Sequence, residues 1–297
     1  MKSRRRRMKE YIITTDSTVD LPKSMLEEKG VPYIALSYTI DGITYEDRNG
    51  LSPKEFFDKI RNGSMPTTSQ VNPEQVREMF EKELEKGYDI LHIAFSSGLS
   101  GTCNSARIAA QTLMEEKEGA KIIVIDSLCA CLGQGLLLTK ALALKEQGRK
   151  LEEVADWVEK NKLHICHNVT VNDLHHLHRG GRVSKATAIL GTMVQIKPII
   201  YLNDEGKLEV IGKERGRKKA LNRIVDMMEN QMKGYEKEND LVMITHGDCI
   251  EDAEYVKEQI QKKYGISNVI INNIGTVIGT HTGPGVVATF CMGNKKA

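Results

Sequence analysis

In the segment DILHIAFSSGLSGTCNSARIAAQTLMEEKEGAKIIVIDS, Asp89 to Ser127, two compact apolar runs enclose a hydroxyl-rich loop and a helical pattern. Asp89 to Phe95 has the length and composition of a buried strand, and Ser96-Ser97-Gly98-Leu99-Ser100-Gly101-Thr102 breaks it. Cys103 to Glu116 reads as a helix, and Lys121 to Ile125 as a second strand ending in Asp126-Ser127. Gly133 to Gln147 follows as a long helical stretch. This alternation predicts a parallel sheet with helices on its faces.

Upstream, Tyr11 to Thr15 is a strand that stops at Asp16-Ser17-Thr18, followed by Pro22 and a helix over Lys23 to Lys29. Val31 to Thr39 reads as one further strand, Asp41-Gly42 as a hairpin-type turn, and Ile43-Thr44-Tyr45 as the return. Ser52-Pro53-Lys54-Glu55 and Asn72-Pro73-Glu74-Gln75 both carry the spacing of a capping box and open two helices. Ser64 to Gln70 between them is expected to be a loop. Leu151 to Asn161 gives one more helix, and from Cys166 onward the pattern changes. There Lys197 to Leu202 and Leu208 to Ile211 form a hairpin around Asn203-Asp204-Glu205-Gly206. Helices over Lys218 to Lys233 and Ile250 to Tyr264 alternate with strands over Asp240 to His246 and Val269 to Ile274. The fold class is therefore α/β: an N-terminal parallel-sheet, Rossmann-like domain (9–162) and a C-terminal α+β domain (163–297).

The chain has 297 residues, 40% apolar and 28% charged, which suits two packed cores and excludes a disordered or fibrous architecture. Five positive charges, Lys2 and Arg4 to Arg7, account for more than the whole net charge of +2, so the remainder carries a net −3. The segment 1–8 is expected to be a disordered basic extension, and no regular basic face elsewhere points to nucleic acid. The uncharged run Ser127 to Thr139, flanked by Asp126 and Lys140, falls short of the roughly 18 apolar residues of a membrane helix.

The six cysteines are scattered without a C-x-x-C pair, as expected for reduced thiols. His164, Cys166, His167, His175, His176 and His178 hold types that ligate zinc, but at no closed four-ligand spacing. The segment Gly98-Leu99-Ser100-Gly101 lacks the second spacer of a nucleophile elbow. Neither a G-x-x-x-x-G-K-S/T phosphate loop nor a G-x-G-x-x-G fingerprint occurs.

Ligands of open α/β sheets gather outside the carboxyl ends of the strands. Three hydroxyl-bearing segments are expected there: Asp16-Ser17-Thr18, Thr67-Thr68-Ser69-Gln70, and Ser96 to Thr102. Such residues also serve as plain helix caps, but three in one sheet favour a binding role. Arg179-Gly180-Gly181-Arg182 adds two guanidinium groups able to hold carboxylate or phosphate, with a solvated surface turn as the alternative. Gly279-Thr280-His281-Thr282-Gly283-Pro284-Gly285 sets one histidine among glycines. The residues offer anion-holding groups without an evident catalytic set.

Thr15-Asp16-Ser17, Pro66 to Gln70, Ser96 to Thr102, Asp126-Ser127, Leu177 to Arg182, Lys197-Pro198 and His281 to Gly285, in that order, resemble the DegV family from about Lys9 to Met292. The resemblance implies a bacterial, cytoplasmic, two-domain protein of phospholipid synthesis that binds a long-chain fatty acid in an apolar tunnel. It implies that Thr68 and Ser100 hold the carboxylate with His281 nearby, and Ser69 or Ser97 as auxiliaries. It further implies a separate fatty acid kinase subunit that supplies ATP and metal and forms an acyl phosphate. The surface facing that kinase would include Arg182 and Arg215. On this view the chain has no cofactor, catalytic residue or metal of its own, does not turn over alone, does not bind nucleic acid, touches membranes only peripherally for lipid exchange, and is a monomer. Two other readings stay open: a stand-alone acyl or phosphoryl transferase using Ser100 or His281 as nucleophile, and a lipid sensor or storage protein without a kinase partner.

Overall fold

The computed structural model describes residues 10–184 and 195–294. The basic segment 1–8 lies outside the described residues. Four parallel strands form the first sheet in the order β2-β1-β6-β7: β1 (Tyr11–Asp16), β2 (Tyr33–Ile34), β6 (Asp89–Ala94) and β7 (Ile122–Asp126). Helices α1 (Lys23–Glu28), α3 (Pro73–Glu85), α4 (Thr102–Glu116) and α6 (Leu151–Asn161) connect or flank these strands. The near-continuous burial of β1 and β6 is what a sheet covered on both faces requires. Both capping boxes form as the spacing predicts: Ser52 with Glu55 at α2 (Pro53–Arg61), and Asn72 with Gln75 at α3.

The expected strand Val31 to Thr39 is two strands in different sheets. β2 ends at Ile34, and β3 (Ser37–Ile40) joins a separate antiparallel sheet of order β4-β3-β5, with β4 (Ile43–Glu46) and β5 (Thr67–Ser69). Leu36 makes the break: its amide donates to Ser17 Oγ (3.2 Å) and its carbonyl accepts from the Asp47 amide (2.8 Å), outside either ladder. β5 lies in the segment read as a loop. Its three hydroxyl residues have no apolar alternation and form a strand by pairing with β3, Tyr38 opposite Thr68. Thr67 to Gln70 therefore does not leave a carboxyl end of the parallel sheet, as the sequence suggested, but approaches the same region from the edge of the small sheet.

The second sheet has six strands in the order β10-β9-β8-β13-β11-β12, antiparallel except for β11 against β12. These are β8 (Ile165–Thr170), β9 (Ile196–Leu202), β10 (Leu208–Arg215), β11 (Val242–His246), β12 (Val269–Asn273) and β13 (Val287–Met292). The central β8 and β13 lack a clean apolar run because buried polar residues, His167, Asn168 and Thr170 in β8 and Thr289 in β13, interrupt it; every residue of β13 is buried. One face carries α8 (Arg217–Gln231) and α9 (Ile250–Tyr264) over a cluster that includes Ile199, Ile224, Met228 and Val256. The other face meets α5 (Cys131–Glu146), ten of whose sixteen residues are buried. Because α5 also packs on the turn after β1, a single hydrophobic cluster runs from the first sheet into the second. Two short helices, α7 (His175–Arg179) and α10 (Thr276–Thr282), lie side by side where the three sheets meet.

Candidate functional site

The loop after β6 is held by both neighbouring strands. Asp16, at the end of β1, accepts from the Phe95 amide (2.7 Å), and Asp126, at the end of β7, accepts from the Ser97 amide (3.1 Å). Burial pushes the Asp16 carboxyl up to about 6, against the hydrogen bonds from Thr18, Phe95 and Gln134. The two Asp-Ser dipeptides thus share one task, to fix the Ser96 to Thr102 loop from either side. The second sheet adds a third anchor, since Ser96 Oγ donates to Gly206 O (2.7 Å) in the β9–β10 turn. Gly98 admits that turn: a Cβ there would lie 2.6 Å from Glu205 O.

A cavity of about 650 Å³ opens beside this loop, within the range of small-molecule sites. Leu36, Phe95, Leu177, Val277 and Ile278 give it apolar walls, and Thr68, Ser69, Ser100, Arg179, Arg182, Thr280 and His281 make its polar part. Thr68 Oγ1 and His281 Nε2 are 2.8 Å apart. Ser100 Oγ lies 3.0 Å from Thr102 Oγ1 and accepts from the Thr102 amide (3.3 Å).

Arg182 donates through Nε and Nη2 to Leu99 O (3.1 and 2.8 Å) and through Nη1 to Gly180 O. Arg179 reaches Pro66 O (3.4 Å) and Thr280 O (3.5 Å). Neither forms an ion pair with a carboxylate among the described residues. Burial pushes the Arg182 guanidinium down from its ordinary value. Burial, with Arg182 and then Arg179 nearby, pushes His281 down to about 4, so its imidazole is neutral at pH 7. Its Nδ1 is buried without a partner among the described residues.

Thr68, Ser69, Ser100 and His281 are therefore brought to one cavity, together with Arg182. Ser97 is not: it lines an adjoining cavity of about 770 Å³ that shares Leu99, Ser100, Arg182 and Leu208 with the first. Arg215 lies away from both cavities, exposed at the end of β10 opposite Ile196. Among the described residues no group of three or more His, Cys, Asp or Glu could hold a metal, and no helix is long and apolar enough to cross a membrane. His164 instead meets Gly293 O and Tyr235, and His167 accepts from the Ala130 amide.

Sequence reading missed Asp20, Asp47 and Thr276, which hold the start of α10. Their partners lie more than 200 residues apart in the chain, so no local pattern marks them.

The ends of a parallel sheet, a small antiparallel sheet and a second α+β layer bring hydroxyl, imidazole and guanidinium groups together at one apolar cavity, the arrangement of a small-molecule cleft. A family model described as "Uncharacterised protein, DegV family COG1307" matches residues 11–294, and the chain belongs to the DegV family. It is 44% identical over 291 residues to a DegV domain-containing protein of Clostridium perfringens, covering 97% of this chain and 99% of that one. Among solved structures it is similar to a DegV family protein of Thermus thermophilus described by its fatty acid binding, with a TM-score of 0.85 and 31% identity over 96% of this chain and 99% of the other. It is also similar to DegV of Bacillus subtilis, described as a fatty acid binding protein, with a TM-score of 0.82 and 30% identity over 96% and 99% of the two chains.

Proposed function

We propose that this chain binds one long-chain fatty acid in the 650 Å³ cavity, with the carboxylate at Thr68, Ser100 and His281, and presents it to a separate ATP-dependent kinase for acyl-phosphate formation. The observation that carries the reading is the polar end of an otherwise apolar cavity, where two arginines without carboxylate partners among the described residues stand beside a hydroxyl–imidazole pair. A carboxylate is the group that such donors keep ionised out of water. The fatty acid binding described for the relatives from Thermus thermophilus and Bacillus subtilis supports the same ligand class.

Burial of about 15 methylenes at roughly 0.8 kcal/mol each gives at most about 12 kcal/mol before ordering costs, which limits affinity to nanomolar or weaker. Ser69 supports the carboxylate end, and Ser97 acts through the loop it belongs to. The ligand lies between the domains 9–162 and 163–297. Arg182 and the exposed Arg215 face the kinase. A transferase reading finds less support, because the Ser100 hydroxyl pairs with Thr102 and the His281 imidazole with Thr68, so neither activates the other.

Native mass spectrometry of the purified chain, followed by solvent extraction, tests the reading. Stoichiometric fatty acid is expected; absence of lipid together with no uptake of added fatty acid would overturn it.

A further inference from the structure

Helix α10 brings His281 to the cavity, and its first turn is held by residues outside the cavity wall. Gly275 occupies the N-cap position and has no side chain to satisfy the free amides there. Two carboxylates from the first half of the chain do so instead. Asp47, between β4 and α2, accepts through Oδ1 from Thr276 Oγ1 (2.8 Å) and from the Val277 amide (3.3 Å). Its Oδ2 accepts from Ser17 Oγ (2.8 Å), whose oxygen also receives the amide of Leu36, itself a cavity residue. Asp20 Oδ1 accepts from the Gly275 amide (3.0 Å).

Asp47 is 0% and Asp20 2% exposed, so these bonds do not compete with water. A Cβ at Gly275 would stand 2.6 Å from Asp20 Oδ1, which accounts for the glycine. Arg48 offsets the charge nearby while donating to Ser17 O and Leu21 O. Carboxylates at a helix N-terminus are favourably placed against its dipole. The helix has only seven residues, and Val277, Ile278, Thr280 and His281 all line the cavity. A tilt at its first turn reaches His281 with less than two turns of helix to absorb it.

We propose that Asp47 is a positioning residue for His281: it fixes α10 at the depth and rotation where Nε2 meets Thr68 Oγ1, and so sets how strongly the site prefers an ionised head group. This rests on the reading of the cavity as a fatty acid site, and the test separates the two ideas. Palmitate and hexadecanol are titrated against the full chain and its Asp47→Ala and Asp47→Asn variants, by displacement of a fluorescent fatty acid. In parallel, the His281 ring resonances of each protein are recorded by NMR without ligand.

Asp47→Ala is expected to weaken palmitate about tenfold while hexadecanol changes less than twofold, and Asp47→Asn, which keeps an acceptor oxygen, recovers most of the loss. The His281 signals should shift in the alanine variant and return in the asparagine one. Equal losses for acid and alcohol with unmoved His281 signals would reduce Asp47 to a structural role and overturn the proposal. Should wild-type protein bind neither ligand, the fatty acid reading fails while the His281 signals still decide the positioning. If Asp47→Ala does not fold, Thr276→Val removes the shorter of its two bonds to α10 and is held to the same outcomes.

Discussion

A methyl group on the α-carbon of Gly180 would lie 2.0 Å from Nδ1 of His281. The backbone of Gly180 is ordinary right-handed helix (φ −74°), so alanine there is excluded by the imidazole and by nothing in the main chain. Gly180→Ala is expected to displace His281, cut fatty acid affinity at least about tenfold and cost about 1–3 kcal/mol of stability through overpacking. Gly181 has the reverse character, with φ +74° and open space around it. Gly181→Ala should cost about 1 kcal/mol of stability and leave affinity alone. Calorimetry and ligand titration of the two variants check the contrast, and unchanged affinity in Gly180→Ala would refute the placement of His281.

On the proposed reading, Thr68 and Ser100 would reach the carboxylate from different sheets, Thr68 from β5 and Ser100 from the loop after β6. A hydrogen bond to a charged group contributes about 1.5–3 kcal/mol, so each alanine substitution should weaken binding about tenfold to a hundredfold. The double variant should purify with little bound lipid and an unaltered circular dichroism spectrum. Lipid content equal to wild type would remove both residues from the site.

Arg182 and Arg215 should separate when tested. Arg182 bridges Leu99 O and Gly180 O at the cavity wall, so Arg182→Ala is expected to lower fatty acid retention as well as kinase-dependent acyl-phosphate formation. Arg215 touches neither cavity, so Arg215→Glu should leave retention within about twofold and lower only acyl-phosphate formation. Full acyl-phosphate yield from Arg215→Glu would take that residue out of the kinase-facing surface.

Acid should act on the fold through His92, buried in β6 with Nδ1 2.9 Å from Thr14 Oγ1 and its ring edge-on to Phe80. Burial pushes it from 6.5 down to about 3. Because the folded value is the lower one, its contribution is complete above pH 6.5 and is lost as pH falls toward 3, by about 5 kcal/mol at the limit. Asp16 has the opposite sign: raised from 3.8 to about 6, it favours the folded state below pH 3.8 and ceases to do so as pH rises through 6. Denaturant midpoints of wild type and His92→Leu at pH 7 and pH 4.5 isolate the histidine. The stability gap between them should shift in favour of the variant at pH 4.5, and parallel values at both pH values would show that His92 does not resist protonation.

The parallel sheet was legible because β1, β6 and β7 are short apolar runs, each ended by a polar loop. Both capping boxes were legible because their bonds span three residues. What escaped was written between distant parts of the chain. β5 is a strand only because Tyr38 and its neighbours pair with it, and buried polar residues, His167, Asn168 and Thr170 in β8 and Thr289 in β13, interrupt the apolar runs of those strands. In the site, the hydroxyl-rich segments carrying Thr68 and Ser100 and the lone His281 among glycines were legible, and the resemblance picked out the individual residues. Ser97 belonged to the same motif, but the loop turns it toward the adjoining cavity. Asp47 carried no local signal, since its partners Thr276 and Val277 follow it by some 230 residues.

Thr68 and Ser100 precede α5 in the chain, whereas Arg182 and His281 follow it, and the β9–β10 turn rests on the loop that carries Ser100. On the proposed reading, the receptor for the head group would be a joint property of two halves, and neither half would hold it alone. Parting them would not uncork a vessel that stays intact; it would take the vessel apart. On that reading, any separation of the halves would abolish recognition of the carboxylate together with its binding.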